Sequence, residues 1–173
     1  MPVIKNVSHK MKIEIVAILI SSFAAAIAAI AAWKAVHATN RNTEAQIVIQ
    51  LRNDFSSQIL HNSFKRLRIF KDENEGVFSS EFIKLKKTNY DKYQELNDAR
   101  RIVKGYYQKL YSLDINKLIR RDLLYSLIGN DQKKYILEIL APFERAMVEA
   151  DQAINFDSSF FDWANRLQIR SNG

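Results

Sequence analysis

The chain has 173 residues, enough for one domain with an appended segment, and it carries 26 Lys and Arg against 19 Asp and Glu, a formal net charge of +7. Without cysteine it has no disulfide framework, thiolate nucleophile or cysteine-based metal site. Four glycines and two prolines are its only strong breakers, so a sequence rich in Ala, Leu, Ile, Lys and Gln reads as all-α.

Positions 1–12 read as a short tail containing Lys5, Lys10 and Lys12, and 13–35 as a transmembrane helix. From Ile15 to Trp33 there are nineteen residues without a charge, which as a helix cover roughly 28 Å, close to the hydrocarbon thickness of a bilayer. Trp33 and Lys34 stand where interfacial anchors belong. A buried core helix seldom needs so long an uncharged run. A signal peptide usually has a shorter apolar core, so an uncleaved anchor is the better reading.

The run is not uniform around its circumference. At 100° per residue, Ser21, Ala25, Ala28 and Ala32 fall within about 60° of one another. Val16, Leu19, Ile20, Phe23, Ile27 and Ile30 gather opposite, with Ile18 at the edge of the small face. A smooth face of small residues lets a second helix approach closely. The expected partners are other integral membrane subunits or another copy of the chain.

Residues 36–71 read as a helix extending from the membrane, with a break expected at Thr39–Thr43, where short polar side chains compete for backbone hydrogen bonds. Thr43 and Gln46 have capping-box spacing, although one uninterrupted helix also fits. Val48, Leu51, Phe55, Ile59, Phe64, Leu67 and Phe70 mark an apolar face within 44–71. A helical domain is expected over 72–173, completed by packing against 44–71. Its elements are a loop at 71–76, a short weak segment from Phe78 to Leu85, and a charged mobile stretch holding Lys84, Lys86, Lys87 and Lys92. A strong helix follows over Tyr90–Leu110, then a connection at Ser112–Asn116 and a helix over Lys117–Ile128, stopped by Gly129. The next helix is expected from Gln132 to Ile154, capped by Asp131 and kinked at Pro142. The last runs from Phe160 to Ile169, capped by Asp157 or Ser158.

Several of these stretches, QLRNDF at 50–55, DARRIVKGYYQKL at 98–110, LIRRDLLYSLIGND at 118–131 and ILEILAPFE at 136–144, resemble the DUF4760-like family of bacterial membrane-anchored proteins of unknown function. The resemblance covers about half of the region after the apolar run. It implies one N-terminal transmembrane helix followed by a small helical bundle domain, and no particular activity.

No catalytic or cofactor motif stands out. His9, His37 and His61 lack ligand spacing, no nucleophile elbow occurs, and phosphate-cradling loops would need glycines this chain does not have. Glu138, Glu144, Glu149 and Asp151 read as a solvated face or as partners of Arg145. No enzyme, metal or cofactor is expected. Arg100, Arg101 and Lys104, followed by Tyr106, Tyr107 and Tyr111, form a candidate basic contact face for protein, anionic lipid or, more weakly, nucleic acid.

Lysines before the run nearly balance Lys34, Arg41 and Arg52 after it. Charge alone leans toward a cytoplasmic N-terminus, whereas the resemblance implies a cytoplasmic helical domain; the cytoplasmic domain is the reading adopted, at the inner membrane. Function then reads as a non-enzymatic accessory or scaffold subunit docking on a membrane assembly. The alternative is a membrane-tethered sensor or defence effector that binds nucleic acid or anionic lipid through basic helix faces.

Overall fold

A computed structural model describes the backbone of residues 3–150 and 156–167, with side chains described from Ser21 onward. All regular structure among the described residues is helical. The chain divides into two compact units, Met1–Ala45 and Gln46–Gly173.

Helix α1 spans Val3–Phe55, so positions 3–12, expected as a tail, are helical. The break expected at Thr39–Thr43 does not occur. The Thr39 hydroxyl donates to the Ala35 carbonyl at 2.9 Å and the Thr43 hydroxyl to the Thr39 carbonyl at 3.0 Å. Both hydroxyls bond back along the helix instead of capping a new one, a use open to threonine inside helices. The chain breaks later, at Ser56 and Ser57, inside what reads from sequence as a continuous helix. Ser57 is extended and its Oγ accepts from the Leu60 N–H at 3.3 Å, opening α2 at Gln58–Glu73.

In the second unit, the buried positions of α2 are Leu60, Ser63, Leu67 and Phe70, a single helical stripe. Ser63 satisfies its hydroxyl on the Ile59 carbonyl at 2.8 Å. Gly76, at φ +80°, closes the turn after α2 in the left-handed region that suits glycine. Helix α3 runs Phe78–Thr88, so Lys84, Lys86 and Lys87 are helical and not a mobile stretch; Lys84 pairs with Glu81 at 3.3 Å. Helix α4 covers Tyr90–Ile115, a turn beyond the expected end. Its core seam is Tyr93, Leu96, Arg100, Val103, Tyr107 and Leu110, an alternation of three and four that keeps one face inward.

The end of α4 explains why the following helix is shorter than Lys117–Ile128. Lys117 takes φ 55°; its N–H donates to the Asp114 carbonyl at 3.0 Å, and the Leu118 N–H to the Leu113 carbonyl at 2.9 Å. This pair of bonds is a Schellman stop with lysine in the place glycine usually takes. Helix α5 is therefore only Arg121–Leu127. Gly129 is extended (φ −84°) and opens α6, Asn130–Tyr135, so it starts a helix instead of ending one. Its N–H donates to Gln132 Oε1 at 2.8 Å, and Asp131, expected as the cap, lies inside the first turn.

A π turn at Ile136–Leu140 joins α6 to α7, Ala141–Ala150, with the Ala141 N–H reaching back five residues to the Ile136 carbonyl. Pro142 follows at once. Its ring would crowd the carbonyl four residues earlier in a regular helix, and the widened turn relieves that crowding. Helix α8, Ser158–Arg166, is capped by Asp157, whose carboxylate accepts from the Phe160 N–H at 3.1 Å. The expected extensions to Ile154 and Ile169 lie outside the described residues.

The core of this unit is largely aromatic. Phe143 meets Phe82 edge-on at 4.9 Å and Phe78 at 5.1 Å, while Phe82 stacks on Tyr93 at 5.1 Å. Full burial of each phenylalanine contributes about 1.5–3 kcal/mol, with such ring pairs adding roughly 0.5–1.5. A second group joins Tyr111 to Phe160 and Trp163, and the Trp163 indole N–H donates to Asp114 at 2.8 Å.

Candidate functional site

The apolar part of α1 is long and apolar enough to cross a membrane: its richest described window has mean hydropathy 1.3, and none of that window is buried. Ser21, Ala25, Ala28 and Ala32 are all exposed, as are Phe23, Ile27, Ile30 and Trp33 on the remaining surface. The side chains of Val16, Ile18, Leu19 and Ile20, and of Lys5, His9, Lys10 and Lys12, lie outside the described residues. Trp33 and Lys34 are exposed, and the indole packs edge-on against His37 at 4.4 Å.

The basic contact face does not form as expected. Arg100 is 7 % exposed and belongs to the core seam of α4, whereas Arg101, one residue on, faces solvent. The Arg100 guanidinium donates through Nη1 to Glu144 Oε1, and through Nε and Nη2 to Asn97 Oδ1 at 3.1 and 2.8 Å. Lys104 Nζ donates to Glu144 Oε2 at 2.6 Å. Glu144 is 1 % exposed, so it is neither solvated nor a partner of Arg145, which lies over the Phe156 ring at 5.7 Å. Two cations and one carboxylate thus form a closed network between α4 and α7. A buried charge costs several kcal/mol unless it is paired and hydrogen-bonded, and both carboxylate oxygens here have a cationic donor. Of the three basic residues, only Arg101 is left as an outward charge.

The tyrosines expected to interleave that face are also turned inward. Tyr106 and Tyr107 are buried and Tyr111 packs on α8, so none offers an open ring for stacking. Burial pushes the Tyr106 phenol up to about 12, with the nearby Asp54 charge adding to the effect. Burial raises Tyr135 and Tyr107 further still. These phenols stay protonated at neutral pH and do not act as bases. Tyr135 donates to the Phe64 carbonyl at 3.2 Å. Tyr107 is wholly buried, and its hydroxyl has no hydrogen-bond partner among the described residues. Such a group costs about 1–3 kcal/mol.

The signal that could have found the Arg100–Glu144 pair is phase. Arg100 sits in step with Tyr93, Leu96, Val103 and Tyr107, and Glu144 in step with Leu140 and Met147. A charge in register with an apolar stripe, matched by an opposite charge in another stripe, is the mark of an internal ion pair. Comparison of the chain with family models, with curated proteins and with solved structures returns no match.

Proposed function

We propose that this chain is a non-enzymatic, single-span membrane protein of the inner membrane, an accessory or scaffold subunit with a small helical-bundle domain on the cytoplasmic side. The observation that carries the reading is the apolar window of α1, which has no buried residue. An exposed uncharged helix in water would leave side chains such as Phe23, Ile27 and Ile30 more than half exposed, at a cost of about 25 cal/mol per Å² of apolar surface. A bilayer removes that cost. The resemblance to DUF4760-like membrane-anchored proteins belongs to the same reading.

Within the bilayer, hydrophobicity no longer favours one helix contact over another, and close packing of small side chains takes over. The Ser21, Ala25, Ala28 and Ala32 face is therefore the docking surface for another membrane helix. Purification from native membranes in mild detergent should retain a stoichiometric companion or a second copy, and Ala28→Leu should abolish that association while membrane insertion is unchanged. Retention of the companion by the variant would remove this face from the account. The rival reading, a tethered nucleic-acid effector, loses support because Arg100 and Lys104 are committed to Glu144.

A further inference from the structure

The second unit contains a cleft of about 410 Å³ between α2, α4 and α6. That volume lies in the range of sites that hold small organic molecules. Its walls are aromatic: Phe64 meets Tyr135 edge-on at 4.7 Å and Tyr107 at 5.8 Å, and Phe55 closes one side at 5.9 Å from Phe64. The rim is charged. Lys65 and Arg68, one turn apart on α2, are exposed and have no carboxylate partner among the described residues. Arg68 lies over the Tyr135 ring at 6.0 Å. Tyr107, whose hydroxyl lacks a hydrogen-bond partner, forms part of the wall.

We propose that this cleft binds a small amphipathic anion, its apolar body held among Phe55, Phe64 and Tyr135 and its acid group held by Lys65 and Arg68. The chemistry follows from the three features together. Aromatic walls suit a flat or acyl apolar body. Guanidinium and ammonium groups three residues apart suit a carboxylate, sulfonate or phosphate. Asp72 and Asp131 also line the cleft and repel a second negative charge, so a singly charged acid is preferred over a polyanion. The site belongs wholly to residues 46–173 and does not depend on what docks against α1.

The test uses the full chain in nanodiscs of neutral phosphatidylcholine, with 2-naphthoate as the probe in equilibrium dialysis. Saturable binding of one equivalent is expected. Loss of the two cations in the Lys65→Gln, Arg68→Gln double variant should weaken it by at least about tenfold, since charge-assisted bonds are the strong ones. Absence of saturable binding, or equal binding by the double variant, would overturn the proposal. Discs containing phosphatidylglycerol then identify the source of the anion. Competition that depends on Lys65 and Arg68 assigns a lipid headgroup and supports the site, and undiminished naphthoate binding assigns a soluble acid and supports it equally.

Discussion

Replacing Glu144 by leucine is the sharpest test of how the helical unit is held together. The substitution keeps a side chain of similar volume at a position 1 % exposed, and leaves the Arg100 guanidinium, whose side chain is 8 % exposed, without a counter-charge. Lys104, at 19 %, can swing to water; Arg100 cannot do so without breaking its bonds to Asn97. Removing one member of a buried pair costs about 3–5 kcal/mol, out of a total stability of roughly 5–15. For a unit of this size the melting temperature should fall by about 10–20 °C. Arg100→Met should cost less, about 2–3 kcal/mol, because Glu144 keeps Lys104. Joining the two changes should return most of the loss, giving a coupling of about 3 kcal/mol. Thermal unfolding in mild detergent, followed by near-ultraviolet circular dichroism of the aromatic core, provides the measurement. If the double variant loses the sum of the two single losses, the network is not a coupled unit and the reasoning fails.

Two further outcomes follow from local geometry. Lysine at φ 55° carries a steric cost of about 1–2 kcal/mol that glycine avoids, offset in part by the greater freedom of glycine in the unfolded chain; Lys117→Gly should therefore raise stability by about 0.5–1 kcal/mol, and a loss in the same unfolding assay would contradict the Schellman assignment. The hydrogen bond from Lys109, at 2.9 Å, is the main reason Asp54 is held below its ordinary value of 3.8, with Gln50 contributing. A carboxyl depressed in the folded state contributes stability above its ordinary value and loses it as pH falls through the folded one. Asp54→Asn should therefore flatten the acid limb of stability against pH below about 4, while an unchanged limb would show that the pair contributes nothing.

What could be read from sequence depended on which residues set each boundary. The all-helical class, the apolar run and the Asp157 cap were legible because they rest on breaker content, hydropathy and a side chain that acts locally. Helix ends were not legible where an unusual residue did the work. The stop after α4 uses Lys117 in a conformation normally signalled by glycine, while Gly129, which does look like a stop, begins a helix. Thr39 and Thr43 looked like a break because threonine can cap; in a helix already formed, their hydroxyls bond to the preceding turn instead. The candidate basic face failed for a related reason: neighbouring charges were grouped by sequence, although the step from Arg100 to Arg101 turns the helix by about 100° and moves from core to solvent.

The central claim is that α1 holds the chain in a bilayer, and extraction of native membranes with alkaline carbonate tests it most directly. The expected result is that the protein stays in the membrane pellet with its apolar run intact and is released only by detergent. Release into the alkaline supernatant, or recovery of a chain shortened by removal of the apolar run, would contradict it.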